Sequence, residues 1–318
     1  MKIMILGLGA VGTAYGFTFK KAGHEVYHFI RENKRKSIQK RLDISFLDGR
    51  YREKGENKKD FYDVALADDT SFDFIFISVS PGMIADAVKT IRDNDLKGTL
   101  VLFNALWYTR EEIEEITLGY EYIIAYPLTA GNIQQNKFDF VLFKSVMLER
   151  KEKSNIKNYD DIVKLFGDCD IEIESPYDML QWIWVYMGVS AGFITTAGRY
   201  FDLNDTKNAF FSIVNSSSAI SNSFTSIRQI CSIIRSRGVD LRYYKDILSN
   251  YNTPPMIAGM VIRNSLKNNE FMRRILSLDI DIKDLFYVCK VVYECGKENG
   301  IDCPVFYENY EEMIKKYH

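Results

Sequence analysis

Histidine is nearly missing from this chain, with three in 318 residues: His24, His28 and His318. With so few imidazoles, neither a histidine-based metal centre nor a Ser-His-Asp triad is expected. The five cysteines, Cys169, Cys231, Cys289, Cys295 and Cys303, form no CxxC pair and are odd in number. They read as free thiols of a reducing compartment rather than as a disulfide framework or a zinc site. Charge of one sign is also lacking. A net charge of −2 gives no electrostatic attraction to nucleic acid or to an anionic membrane. No apolar run is long enough to span a bilayer, and a motif that starts at Gly7 leaves no room for a leader peptide. A cytoplasmic protein is expected, with no metal, no nucleic-acid partner and no membrane partner. Internal repeats and low-complexity segments are absent too.

What is present is an ordinary globular balance, 47% hydrophobic and 26% charged. The length exceeds what one core usually supports, so two domains are expected. The most informative stretch is Lys2 to Gly12, KIMILGLGAVG. Apolar residues run into Gly7, Gly9 and Gly12, an amphipathic segment Ala14 to Ala22 follows, and a second strand is expected from Glu25 to Ile30. Strand, glycine turn and helix in this order are a dinucleotide-binding unit. Gly7 allows the tight turn, Gly9 lets backbone approach a pyrophosphate, and Gly12 lets the helix pack closely on the strand. The amides of Gly7, Leu8, Gly9, Ala10, Val11 and Gly12 would face the phosphates at the positive end of the helix dipole.

Arg31 stands at the end of the second strand, where an acidic residue would select NAD and an arginine accommodates the 2′-phosphate of NADP. NADP is therefore the expected cofactor, although a one-residue shift would bring Glu32 to that place. Lys34, Arg35 and Lys36 read as a solvated run. Leu42 to Ala67 resembles a hairpin with a primed turn at Asp48-Gly49. Phe72 to Val79 and Thr99 to Phe103 read as buried strands, with a helix from Gly82 to Arg92 started by Pro81. Ser78, Ser80 and Asn104 then lie at strand carboxyl ends, the edge on which open parallel sheets bind ligands.

Tyr122 to Tyr126 reads as a strand leading into a rim loop, Pro127 to Gly131. Phe138 to Leu148 and Ile171 to Ile173 read as strands, with a helix from Asp160 to Phe166 between them. Pro176 marks the boundary, giving domains 1–176 and 177–318. Beyond it Met179–Tyr200, Phe210–Arg237, Arg242–Asn250, Ile257–Leu266 and Asp284–Glu298 read as helices. The fold class is thus an α/β Rossmann-type N-terminal domain followed by an all-α C-terminal domain. The polar run from Asn215 to Ser226 reads as an exposed helix of poor propensity, with a wet face lining a cleft between the domains as the alternative.

This combination, with Arg31, the hairpin insertion, Asn104 and an all-helical second half, resembles the ketopantoate reductase (2-dehydropantoate 2-reductase) family. The resemblance covers the whole chain in outline, and its specific motifs lie in the first third. It implies an NADPH-dependent reduction of a 2-keto group, with a small-molecule substrate in the cleft between domains and Asn104 beside nicotinamide and substrate. Helical domains of this kind often pair, so a homodimer is among the expectations. The family's proton-donating lysine and two asparagines fall on Trp184, Gly188 and Gly192, and its tryptophan on Trp182. Its serine pair falls on Pro254-Pro255, and its substrate-binding glutamate near Lys267 or Glu270. Because an indole cannot deliver a proton near neutral pH, Tyr186, Tyr126, Thr129 and Arg263 become the candidate donors. The sequence points to an NADP-dependent oxidoreductase acting on a carbonyl substrate other than ketopantoate. Alternatives are a catalytically inactive NADP-binding sensor and a hydroxyacid or opine-type dehydrogenase.

Overall fold

The computed structural model describes residues 1–35, 38–254, 257, 259–260, 264, 269–275 and 281–317. The chain forms two compact units, Met1–Leu180 and Gln181–His318. The helix expected over 257–266, the candidate donor Arg263, and Lys36, Pro255 and Lys267 lie largely or wholly outside the described residues.

In the first unit, β1 (Lys2–Leu6), α1 (Ala10–Lys21) and β2 (Glu25–Phe29) open a seven-stranded sheet. The hairpin strands β3 (Arg41–Asp48) and β4 (Glu56–Asp63) come next, then β5 (Ser71–Ile77), α3 (Ile84–Asp93), β6 (Lys97–Phe103), α4 (Arg110–Ile116) and β7 (Tyr122–Tyr126), with the single turn α2 (Glu32–Arg35) after β2. β8 (Thr129–Gln134), β9 (Lys137–Leu142), β10 (Ser145–Leu148), α5 (Tyr159–Gly167) and β11 (Glu172–Glu174) complete it. The large sheet has the order β11-β10-β7-β6-β5-β1-β2. Strands β2, β1, β5, β6 and β7 are mutually parallel, whereas β10 runs antiparallel to β7. β1 lies between β2 and β5, so the strand order reverses at β1 and a crevice opens beyond its carboxyl end.

A second sheet, β4-β3-β9-β8, covers the other side of α1. This explains why α1 is weakly amphipathic: it is buried on two faces. Tyr15 and Phe19 join the core of the large sheet, while Ala14 and Phe17 join that of the small one. Phe17 meets Phe46, Phe140 and Tyr62 at ring separations of 5.5, 6.0 and 6.1 Å. Phe46 and Phe140 are register partners on β3 and β9 and stack at 4.9 Å.

The fold class is the one expected, and several elements differ in detail. The hairpin exists, but its connection runs from Gly49 to Gly55 and no primed turn forms at Asp48-Gly49. Asp48 is buried and bonded to Arg50 Nη2 at 2.8 Å and Lys58 Nζ at 2.9 Å, and it also accepts the Arg50 backbone N–H at 3.1 Å, so its carboxylate is a buried charge hub that caps the start of this connection. The expected rim loop 127–131 becomes strand in its second half, since Thr129 to Gly131 pair with β9. The single strand expected over 138–148 is two, because the chain crosses from the small sheet to the large one at Phe143-Lys144. Pro81 and Gly82 form a turn, with Gly82 at φ +82°, and α3 starts at Ile84.

The second unit contains α6 (Met179–Tyr200), whose first two residues belong to the first unit, then α7 (Thr206–Asn215), α8 (Ser217–Ser236) and α9 (Lys245–Leu248). The described part ends with α10 (Glu270–Ile275), α11 (Ile282–Glu298) and α12 (Pro304–Tyr317). The helix expected over Phe210–Arg237 is broken at Ser216, which is extended and accepts a hydrogen bond from the Ala219 N–H. The serine-rich run is therefore partly an N-cap. Asn222, expected on a wet face, accepts from the Asn309 amide at 2.6 Å and from Thr196 Oγ1 at 3.2 Å inside this unit.

Candidate cofactor site

The glycine turn follows β1. Gly7 has φ +90°, a left-handed conformation that glycine adopts without strain, and its N–H donates to the Phe29 carbonyl at 2.9 Å. Gly9 is the exposed N-cap of α1, with no side-chain cap and no acidic residue in the first turn. A Cβ on Gly9 would meet only the Ser78 carbonyl at 3.9 Å, so backbone is open to a ligand there. A Cβ on Gly12 would lie 2.5 Å from Ser78 Oγ and 2.6 Å from Ile5 Cγ2. That is the close helix-on-strand packing that the third glycine of such a turn provides.

Topology brings the remaining first-unit candidates to the same sheet edge. Arg31 follows β2, Ser78 and Ser80 follow β5, and Asn104 follows β6. Asn104 is buried and its Nδ2 donates to the Val79 carbonyl at 3.2 Å, whereas its Oδ1 and the Ser78 Oγ are buried without a hydrogen-bond partner. Buried polar atoms left this way cost free energy unless a ligand completes them. Ser80 is exposed, and its carbonyl accepts from the Met83 N–H at the turn into α3. Arg31 is exposed. Glu32, its rival for the ribose position, pairs with Arg35 at 3.5 Å. Arg35 also donates to the Ile30 and Ala67 carbonyls at 3.1 and 3.4 Å, so it braces the end of β2 instead of forming part of a solvated run.

One residue at this turn goes unrecognised in the sequence, where His28 figures only as a scarce imidazole. Its ring is buried within β2, with Nδ1 2.7 Å from the Gly7 carbonyl and Nε2 2.9 Å from the Tyr62 hydroxyl. Burial pushes its pKa down to about 4, and the bond to the Gly7 carbonyl opposes this only in part. The ring is neutral at physiological pH.

In the second unit, Trp184, Gly188 and Gly192 recur at helical spacing along α6. Gly188 and Gly192 pack on α8: a Cβ would lie 2.9 Å from Ile230 Cγ2 at the first and 2.5 Å from Ile227 Cγ1 at the second. The Arg237 guanidinium, at the end of α8, covers the Trp184 ring at 3.9 Å. The void lined by Val185, Gly188, Ile227, Ile230 and Ile234 measures about 10 Å³, room for no more than one water. These positions are helix-packing positions, not a polar pocket. Tyr186 lies on another face of α6, 38% exposed and stacked on Trp182 at 5.3 Å. Of the other candidate donors, Thr129 spends its hydroxyl proton on the Val141 carbonyl at 2.6 Å, and Tyr126 is half-buried at the end of β7. Among the described residues no group of histidine, cysteine and carboxylate side chains is arranged to hold a metal, and no helix is long and apolar enough to cross a membrane.

Residues 3–106 match the family model of the ketopantoate reductase PanE/ApbA, the stretch that carries the glycine turn, Arg31 and Asn104. No curated protein matches the sequence significantly. Solved structures share the fold over nearly the whole chain. The dimeric ketopantoate reductase of Staphylococcus aureus is 16% identical, covering 99% of this chain and 98% of its own at a TM-score of 0.64. D-mandelate dehydrogenase with NADH is 14% identical, with coverage of 99% and 98% and a TM-score of 0.69. A probable 2-dehydropantoate 2-reductase of Bacillus subtilis is 12% identical, with 99% coverage of both chains and a TM-score of 0.64. The resemblance drawn from the sequence to the ketopantoate reductases is borne out.

Proposed function

We propose that this protein is an NADP-dependent oxidoreductase that reduces a 2-keto acid or a related carbonyl compound to the hydroxy compound. The observation that carries this reading is the sheet edge on which an uncapped glycine turn, Ser78 Oγ and Asn104 Oδ1 meet, the latter two buried without protein partners. The matched family and the fold shared with ketopantoate reductases and D-mandelate dehydrogenase support the same class of chemistry.

In this reading the amides of Gly7, Leu8, Gly9, Ala10, Val11 and Gly12 hold the pyrophosphate at the helix N-terminus. Arg31 meets the 2′-phosphate, supported by the diversion of Glu32 to Arg35. Ser78 and Ser80 flank the nicotinamide, and Asn104 orients the carbonyl group beside it. Bound NADPH supplies the hydride. Reduction leaves negative charge on the substrate oxygen, which must be stabilised and protonated, a task worth roughly 10²- to 10⁴-fold in rate. With Trp184 in the position of the family's lysine and Gly188 and Gly192 committed to packing, Tyr186 is the α6 group we assign to that proton. A homodimer is proposed by analogy with the dimeric relative.

Following NADPH oxidation at 340 nm (roughly the reduced nicotinamide band) across a panel of 2-keto acids including ketopantoate tests the assignment. We expect turnover with at least one acid and loss of most of it in Tyr186→Phe. The packing of Gly188 and Gly192 on α8 favours a second reading, a catalytically inactive protein that senses NADP. Tight NADPH binding with no turnover on any member of the panel selects it.

A further inference from the structure

The His28 ring is fixed on every side. Its backbone N–H donates to the Ala65 carbonyl at 2.8 Å, and its carbonyl accepts from the Ala67 N–H at 2.9 Å. A carbonyl oxygen can only accept, so the 2.7 Å contact with Gly7 requires the proton on Nδ1. In the neutral ring Nε2 is then an acceptor, and the Tyr62 hydroxyl donates to it. The Gly7 carbonyl thereby selects the tautomer, and Tyr62 anchors the far side of the ring. Space for this bond comes from Gly16 on α1, where a Cβ would lie 3.1 Å from the Tyr62 hydroxyl and 3.3 Å from His28 Nε2.

The consequence lies on the other side of one peptide plane. The Gly7–Leu8 peptide is trans, so its C=O and N–H point in opposite directions. A carbonyl drawn into the protein by His28 turns the Leu8 N–H outward. Among the described residues that N–H meets no acceptor, and it stands next to the uncapped start of α1. Gly7, with φ +90°, could otherwise rotate at little cost.

We infer that His28, its ring held in place by Tyr62, is a positioning residue that aims the Leu8 amide at the cofactor pyrophosphate. The inference rests on the reading of the glycine turn as a dinucleotide site. It makes the inserted β3–β4 hairpin part of the cofactor site, since Tyr62 belongs to β4.

The experiment compares two ligands on the full chain by calorimetric titration. Both 2′-phospho-ADP-ribose and 2′-AMP carry the adenosine and the 2′-phosphate, and only the first carries a pyrophosphate. For His28→Phe we expect a roughly tenfold loss of affinity for 2′-phospho-ADP-ribose, the scale of one hydrogen bond to a charged group, with 2′-AMP unchanged. His28→Asn keeps an N–H donor at the Nδ1 distance and should recover most of the loss. Equal losses for both ligands, or no loss for either, would overturn the inference. Should His28→Phe fail to fold, Tyr62→Phe carries the same comparison: a selective loss for the pyrophosphate ligand supports the inference, and unchanged or uniform binding refutes it. A wild-type chain that binds neither ligand removes the dinucleotide reading itself, an outcome distinct from wild-type binding without selectivity in the variants.

Discussion

Single residues shape the sheet edge that carries the glycine turn, Ser78 and Asn104. Gly12 has no room for a methyl group between Ile5 and Ser78, so Gly12→Ala should destabilise the first unit by about 1–3 kcal/mol, measurable by urea unfolding. Replacing Arg31 with Asp should weaken NADPH binding by roughly tenfold or more and leave NADH affected less, because a charge-assisted contact to the 2′-phosphate is lost. Unchanged NADPH affinity would remove Arg31 from the site. His28 makes one contribution to the pH dependence of stability. Its folded pKa of about 4 lies below the ordinary value of 6.5, so the unfolded chain takes up the proton first. The contribution of this ring is therefore full above pH 6.5, falls as the pH drops toward 4, and levels off below it, a loss of about 3 kcal/mol. Unfolding at pH 7 and pH 4.5 should show a smaller difference in His28→Asn than in the wild type.

Residues of this kind were legible in the sequence to different degrees. Gly7, Gly9, Gly12 and Arg31 are local to one strand-turn-helix-strand unit, where spacing along the chain fixes spacing in space. Ser78 and Asn104 follow from the rule that parallel strands place their carboxyl ends on one edge. His28 does not follow from any local rule. Its meaning depends on Tyr62, 34 residues away on a strand of the other sheet.

Among the elements, α1 and α6 show how packing overrides pattern. α1 is apolar on two faces because a sheet lies on each side, which the hairpin inserted after β2 makes possible. On α6, the tryptophans and glycines read equally well as a pocket wall or as a buried helix. The choice depends on α8, whose Ile227, Ile230 and Ile234 fill the space at Gly188 and Gly192. Gly192→Asn, which restores the residue type that the resemblance places there, should therefore lower stability by about 1–3 kcal/mol without restoring ketopantoate turnover, as thermal melting and the oxidation assay would show. Local signals in the sequence also mark helix starts. Thr109 and Glu112 form a reciprocal capping box at the start of α4, and Ser216 caps α8. The crossing at Phe143-Lys144 had no such mark, because a continuous apolar run does not reveal that its halves belong to different sheets.

At the scale of the whole molecule, a Rossmann-type unit and a helical unit share their fold with ketopantoate reductases over nearly the entire chain, at sequence identities of 12–16%. The family match itself is confined to residues 3–106. The match falls on the stretch that carries the glycine turn, Arg31 and Asn104. In the helical unit, Gly188 and Gly192 serve packing on α8. In the proposed function, cofactor binding is the property on which everything else depends. Fluorescence titration of the purified chain with NADPH and with NADH measures it directly. We expect saturable NADPH binding that is clearly tighter than NADH binding and is lost in Arg31→Asp. Binding of neither nucleotide would contradict the assignment of the glycine turn as a cofactor site and, with it, the oxidoreductase reading.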